Sequence, residues 1–297
     1  MIEKEITIDS CGNRLSGTVC LPENNGRFPL VLMLHGSGPL DRDENMQGQQ
    51  LNVFNTIAHY LTRKGIASLR YDKRGCGKSS GDYFAAGHSD LVNDAIRWFD
   101  VLRQADFCDP GRMYLLGHSE GCIISPQVSA ARPSVAGLIL LCPFVDDVES
   151  ILIKQATQLE KEFKNLPGLG GLVRRVLSRM MGVTVENQRK LIGKLKSTNQ
   201  ETIRSGFQKV PAKSLRELMR LNARAIFSHV TCPMLLMGGE KDLQCDPADI
   251  ERIAKLAKGA IDKQVIKNLT HILRFDERQA SLLGSAELIK KPMEPIV

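Results

Sequence analysis

Apolar positions in the first half of the chain recur with two alternating periods. "KEITID" and "RLSGTVCLP" alternate apolar and polar residues around Gly12 and Asn13, which predicts an antiparallel edge hairpin turning at that pair. "PLVLMLHG" is almost wholly apolar, as expected of a strand buried on both faces of a parallel sheet. Helical spacing follows near 50–64, then a strand in "GIASLRYD", a helix over roughly 90–105, and a strand in "MYLLG". A helix over 121–131 and a strand in "VAGLILLCPF" complete the series. This β-α-β-α rhythm predicts an α/β chain with a doubly wound, mostly parallel sheet.

Residues 145–228 break the rhythm. They read as several amphipathic basic helices with a loop at "NLPGLGG" and no buried strand. The rhythm resumes with a strand in "CPMLLMGGEKD", a helix near 247–257 and a strand in "DKQVIKN". The expectation is one α/β core from residues 1–144 and 229–297, with 145–228 inserted as a helical cap. Charge follows the same division. Net charge is +7 over 297 residues, but residues 151–230 carry 16 Lys/Arg against 5 Asp/Glu, a local +11 that leaves the remainder near −4.

Composition narrows the class. Hydrophobic residues make up 42% and charged residues 25%, ordinary for a globular chain. No window approaches the roughly 18 uninterrupted apolar residues of a membrane span. "MIEKEITIDS" lacks the apolar core of a signal peptide, so the cytoplasm is the expected compartment. The eight cysteines are scattered without C-x-x-C spacing, which predicts buried free thiols rather than disulfides or zinc ligands. The insertion is poor in aromatic residues and has no recognition motif, so no nucleic-acid partner is expected.

The informative stretch is "MYLLGHSEGCI", residues 113–123. A strand-like run ends in Gly-His-Ser-Glu-Gly and is followed by helix-compatible residues. G-x-S-x-G in that setting predicts a sharp strand-to-helix turn with Ser119 at φ > 0, presented as a nucleophile. Gly117 and Gly121 are required because side chains there would collide across the turn. A serine needs a base, and the base an orienting acid, in the chain order Ser, acid, His. Of six histidines, only His271 follows a plausible acid and the last apolar strand block. Glu240, Asp242 and Asp246 in "GGEKDLQCDP" are the acid candidates, with Asp146 an outsider. Asp242 is preferred because it lies in the turn, whereas Asp246 precedes Pro247 as a helix cap. An oxyanion needs two fixed N–H donors, for which the amides of Glu120 and Ser37 are expected. His35 is expected to brace the Ser37 loop by hydrogen bonding.

"HGSGPLDRDEN", "YDKRGCGKSSGD", "GHSEG", "GGEKD" and "TH" occur in order and cover most of the chain outside the insertion. Together they resemble the α/β-hydrolase superfamily. The first of them looks like bacterial serine carboxylesterases near the cinnamoyl/feruloyl-esterase and serine-aminopeptidase-like groups. The resemblance implies that Ser119 attacks, His271 shuttles the proton and Asp242 holds its tautomer, with Ser37 and Glu120 as oxyanion donors. Asp41, Arg42 and Asp43 match a family loop and are expected to form an ion-paired brace. Cys122 departs from the small Gly or Ala of many relatives. "KKPMEPIV" stands where relatives begin a last helix on the sheet, so that helix is expected to be short or trimmed.

Three rival readings are weighed against this. "GCGKSS" invites a phosphate loop, but Asp72 stands where its first glycine belongs, so Lys78 and Ser79 are expected to serve the loop structurally. The basic insertion could instead attract a charged acyl-CoA thioester, and the same fold could persist as a non-catalytic binding protein. The expected activity is hydrolysis of carboxylic esters with short to medium acyl groups. The expected partner is a small-molecule ester, with neither metal nor organic cofactor and no membrane; the oligomeric state is open.

Overall fold

The structure is a computed structural model, and it describes residues 1–168, 170–171, 173–174, 176, 182–206 and 208–293. The elements before the insertion are β1 (Ile2–Ser10), β2 (Asn13–Leu21), β3 (Phe28–Leu34), α1 (Val53–Arg63), β4 (Ala67–Tyr71), α2 (His88–Arg103), β5 (Cys108–His118), α3 (Gly121–Ala131) and β6 (Gly137–Leu141). The described part of the insertion holds α4 (Val148–Lys164), α5 (Val185–Ser197), β7 (Ile203–Ser205), β8 (Gln208–Val210), α6 (Ala212–Arg220) and α7 (Ala223–Ser228). The chain then adds β9 (Met234–Gly239), α8 (Asp249–Leu256), β10 (Ile261–Ile266) and a single turn, α9 (Ser285–Leu288).

Eight strands form one sheet in the order β1-β2-β4-β3-β5-β6-β9-β10. The first two pairings are antiparallel and the rest parallel. Both faces of the central parallel strands are covered, and the strands show it residue by residue. Leu30, Leu32 and Leu34 of β3 join one buried cluster, which holds Trp98 and Phe99 of α2 and Ile123 and Val128 of α3. Val31 and Met33 between them join the opposite cluster, with Val53, Phe54, Ile57 and Ala58 of α1. Leu138 and Leu140 of β6 likewise face the first cluster, and Leu141 the second. Two-sided burial is why the strand runs are almost continuously apolar. These four α1 residues lie on one helical stripe, which binds that helix to its face.

Two details differ from the sequence expectation. The hairpin pairs Ser10 with Asn13, so its turn is Cys11–Gly12, one residue earlier, with φ of 50° and 76°. A two-residue loop with both φ positive matches the strand twist, and it overrides the Gly-Asn signal. The insertion is also not purely helical: β7 and β8 form an antiparallel ribbon, and Ile203 packs with Leu195 and Ala212 in a separate small core. A three-residue strand is too short to leave a period in the sequence. "NLPGLGG" is a turn at Asn165 that becomes helical from Gly168, with Leu169 outside the described residues. Helix α4 has no fully buried residue, whereas Ala223 and Phe227 of α7 join the main core. Among the described residues no helix is long and apolar enough to cross a membrane.

Candidate active site

β3 and β5 are neighbours, yet the chain leaves β3 towards β4 on one side and leaves β5 towards β6 on the other. The loops beyond their C-terminal ends therefore diverge, and the crevice between them is where such sheets bind ligands. Ser119 stands at this point, directly after β5, with φ 52°. Its amide donates to the Leu141 carbonyl at 3.0 Å, which pins the left-handed residue to β6. A Cβ on Gly117 would lie 2.3 Å from the Gly121 carbonyl oxygen, and one on Gly121 would lie 2.0 Å from the Leu34 oxygen. Neither clash can be relieved by a side-chain movement, so the strand-to-helix turn demands both glycines.

The loops after β9 and β10 bring the other two residues to Ser119. His271 Nε2 is 3.1 Å from Ser119 Oγ, and His271 Nδ1 is 2.8 Å from Asp242 Oδ2. Asp242 Oδ1 accepts from the amides of Gln244 and Cys245 at 2.8 and 2.9 Å. Burial opposes the Asp242 charge, but attraction and hydrogen bonding from His271 and the two amides outweigh it and hold the carboxyl below its usual range. The competing acids are engaged elsewhere. Glu240 accepts from the Asn268 amide at 3.0 Å, Asp246 from the Ala248 amide at 3.0 Å, and Asp146 pairs with Lys154 at 2.7 Å. Of the four candidates, only Asp242 touches the imidazole.

The loop after β3 lies against the serine: a Cβ on Gly36 would be 3.4 Å from Ser119 Cβ. Among the described residues, no protein acceptor engages the amide of Ser37 or of Glu120. Both sit beside Ser119 with N–H groups to spare. The Glu120 side chain points the other way, 97% buried, and Lys73 Nζ lies 3.8 Å from its Oε2. Lys73 Nζ also donates to the carbonyls of Gly36 and Gly38 at 2.5 and 3.2 Å, which flank Ser37. His88 Nδ1 is 3.3 Å from Glu120 Oε1, and the Ser37 side chain acts on the same carboxylate. Burial resists the charge on Glu120, yet Lys73, His88 and Ser37 together pull its pKa down to about 2. Sequence reasoning missed Lys73. Its only signal is a charged Asp-Lys-Arg directly after a buried strand that borders the switch point.

The brace is present in the expected loop. Arg42 grips Asp72 through Nε and Nη2 at 3.1 and 2.6 Å, and Asp43 meets Arg70 at 2.6 Å. Asp41 instead accepts from the amides of Asp43 and Asn45, shaping the turn without pairing. Lys78 lies exposed beside Glu5, and the Ser79 hydroxyl donates to the Asp72 carbonyl at 2.8 Å, so both serve the loop's structure. His35 braces by packing rather than by the expected hydrogen bond. Its ring lies between Phe54 and Tyr71, with centroids 5.1 and 4.9 Å away, and only the Tyr71 main chain interacts weakly with it. Burial lowers its pKa to about 4, which keeps the ring neutral.

All eight cysteines are free, and six are buried. Cys142 Sγ, a carboxylate oxygen of Asp242 and a ring nitrogen of His271 lie within 4.8 Å of one another, a spacing compatible with a metal ion. Burial drives the Cys142 thiol far above its usual pKa, however, and a metal needs the thiolate. Both ring nitrogens of His271 are already engaged, by Asp242 and by Ser119, so the group reads as packing around the Ser119–His271–Asp242 chain.

Comparison with known proteins agrees with this architecture. The family profile described as serine aminopeptidase, S33, matches residues 47–278. Esterase EstD of Thermotoga maritima is 29% identical over 282 residues, covering 94% of this chain and 62% of that protein. Monoglyceride lipase of Mus musculus is 26% identical over 224 residues, covering 73% of this chain and 66% of that protein. The chain thus spans just under two thirds of the length of both relatives. Est1E of Butyrivibrio proteoclasticus, solved with ferulic acid bound, superposes with a TM-score of 0.62 at 19% identity over 96% of each chain. The α/β hydrolase GrgF of Penicillium gives 0.62 at 16% identity over 91% of each. The fold is that of the α/β-hydrolases.

Proposed function

The chain belongs to the serine aminopeptidase S33 family, and from that premise we propose that it is a serine hydrolase acting on carboxylic esters with short to medium acyl groups. The observation that carries the reading is the continuous hydrogen-bond chain Ser119 Oγ–His271 Nε2 and His271 Nδ1–Asp242 Oδ2, at 3.1 and 2.8 Å. The serine that begins it is held in the left-handed conformation of a nucleophile turn. The names of the two curated relatives, an esterase and a lipase, favour ester over amide substrates.

Each step has a residue. Asp242, ionised and fixed by two amides, holds the proton on Nδ1 and so leaves Nε2 free to accept. His271 takes the Ser119 proton as Oγ attacks the ester carbonyl. The oxygen that gains charge lies between the uncommitted amides of Ser37 and Glu120. His271 then protonates the departing alcohol, and the acyl group remains on Ser119. Water, deprotonated by the same imidazole, attacks the acyl-enzyme, and as the acyl–Oγ bond breaks His271 returns that proton to Ser119 and the acid leaves. We place the insertion over this crevice as a cap that bounds the substrate pocket.

The test is labelling with a fluorophosphonate, mapped by peptide mass spectrometry, alongside turnover of p-nitrophenyl butyrate. Modification of Ser119 and its loss in Ser119→Ala are expected, with kcat lowered by several orders of magnitude. Turnover that survives Ser119→Ala refutes the reading.

A further inference from the structure

Three segments must hold register for the chemistry proposed above: the β3 loop with Ser37, the turn with Ser119, and the loop with His271. One buried pair touches all three. Glu44 is 1% exposed and His118 is 5% exposed. Glu44 Oε1 accepts from the Gly36 amide at 2.8 Å, while Oε2 lies 2.7 Å from His118 Nδ1. His118 Nε2 lies 3.0 Å from the main-chain carbonyl of His271.

The partners dictate the proton count. A carbonyl oxygen and an ionised carboxylate can only accept, so both ring nitrogens of His118 must carry hydrogen and the ring is an imidazolium. Neutral His118 has one N–H for two acceptors, and one tie must fail. The backbone marks the same spot, since Glu44 is a buried non-glycine residue at φ 63°. Such strain persists only where its surroundings enforce it. Here its amide donates to the Asp41 carbonyl at 3.1 Å, and the Asp41 side chain holds the amides on either side.

We propose that His118 is a positioning residue that works only as an imidazolium, and that loss of its proton releases the His271 main chain and closes the activity at alkaline pH. This rests on the hydrolase reading above, in which His271 accepts the Ser119 proton. The groups facing His118 are few. Glu44 comes from the β3 loop; Asp242 and the His271 ring, 5.2 Å between centroids, come from the loops after β9 and β10. Cys142 at the end of β6 approaches the same His271 carbonyl at 3.7 Å as a thiol. Burial alone would strip the proton from His118, but Glu44 and, further away, Asp242 raise its pKa.

The experiment combines proton-detected NMR of the histidine rings with kcat/KM for p-nitrophenyl butyrate from pH 5 to 10. A wild-type ring bearing two exchange-protected N–H groups at pH 7, losing one along the alkaline limb, is expected. Glu44→Gln keeps the shape without the charge; it should abolish that doubly protonated ring and move the alkaline limb down by about one pH unit or more, leaving the acid limb in place. His118→Gln should remove the alkaline titration, lowering kcat with little change in KM. A neutral His118 at pH 7, or an alkaline limb unmoved in Glu44→Gln, overturns the inference while a labelled, active Ser119 leaves the hydrolase reading intact. Absence of both turnover and Ser119 labelling overturns the two together.

Discussion

Replacing Lys73 with Met tests the proposed oxyanion site through a buried residue that lies behind it. Met keeps most of the stem and removes the ammonium. The carbonyls of Gly36 and Gly38 lose their shared donor, and Glu120 loses its most effective attraction in a site that is 97% buried. Removing one partner of a buried ion pair costs about 3–5 kcal/mol. Uptake of a proton by Glu120 caps the loss, since a carboxyl no longer held near pKa 2 can neutralise itself. The expected destabilisation is therefore about 3 kcal/mol in urea titration, and Lys73→Met with Glu120→Gln should recover much of it. Activity should not recover. Deleting an oxyanion donor costs about 10²–10³ in kcat, and a displaced donor should lie near the lower end or below. The expected fall in kcat for p-nitrophenyl butyrate is about 10–100-fold in both variants, with KM little changed, and fluorophosphonate labelling should slow in parallel. If the double variant regains stability and also keeps kcat within about threefold, the Lys73 clamp does not set the position of Ser37 and the reasoning fails.

Asp242→Asn should lower kcat by about 10⁴-fold by stabilising the wrong His271 tautomer; a loss below tenfold in the same esterase assay would remove Asp242 as the orienting acid. Gly117→Ala should cost about 3 kcal/mol or more, because its methyl would meet main-chain atoms 2.3 and 2.4 Å away; a midpoint in urea close to wild type would refute the turn geometry. Stability should fall at both pH extremes, as followed by thermal melting. Glu120 has a folded pKa depressed from 4.5 to about 2, so its contribution, roughly 3 kcal/mol, is complete above 4.5 and is lost as pH drops through that window. His118 has a raised folded pKa, so its contribution holds at low pH and is lost as pH rises through the folded value. Glu120→Gln should flatten the acid slope and His118→Gln the alkaline one.

The core of the sheet was legible because two-sided burial writes itself into unbroken apolar runs. Leu30 to Leu34 alternate between the two buried clusters, so all five positions in succession are apolar. Ser119 and its glycines were legible for a steric reason: a left-handed serine between two close backbone approaches tolerates only G-x-S-x-G. What escaped was charge that is buried. Lys73, Glu44 and Glu120 read in the sequence as ordinary loop polarity, because nothing local says that each will find its partner tens of residues away. Glu44 meets His118 across 74 positions, and Lys73 reaches back 37 to Gly36. The β7–β8 ribbon escaped for another reason, since three-residue strands carry too little pattern to stand out from helix.

The insertion's positive charge has a structural use that bears on the site. Lys209 meets Asp82 at 3.1 Å, and Lys213 meets Asp90 at 2.8 Å, so part of the excess is neutralised against acids of the core. Beside them Glu217 of α6 accepts from the Ser89 amide and hydroxyl, both at 2.9 Å, at the N-terminus of α2. That helix end welcomes a carboxylate, because its first amides have no partner within the helix and its dipole favours negative charge. Asp90 adds a second carboxylate there by accepting from the Gly87 amide at 2.7 Å. His88, the first residue of α2, in turn bonds Glu120, the residue directly after Ser119. The insertion is thus docked onto the very helix end that helps fix one side of the proposed oxyanion site. A basic segment facing an acidic rim need not signal an anionic substrate; here the geometry uses opposite charge to seat the insertion against the core.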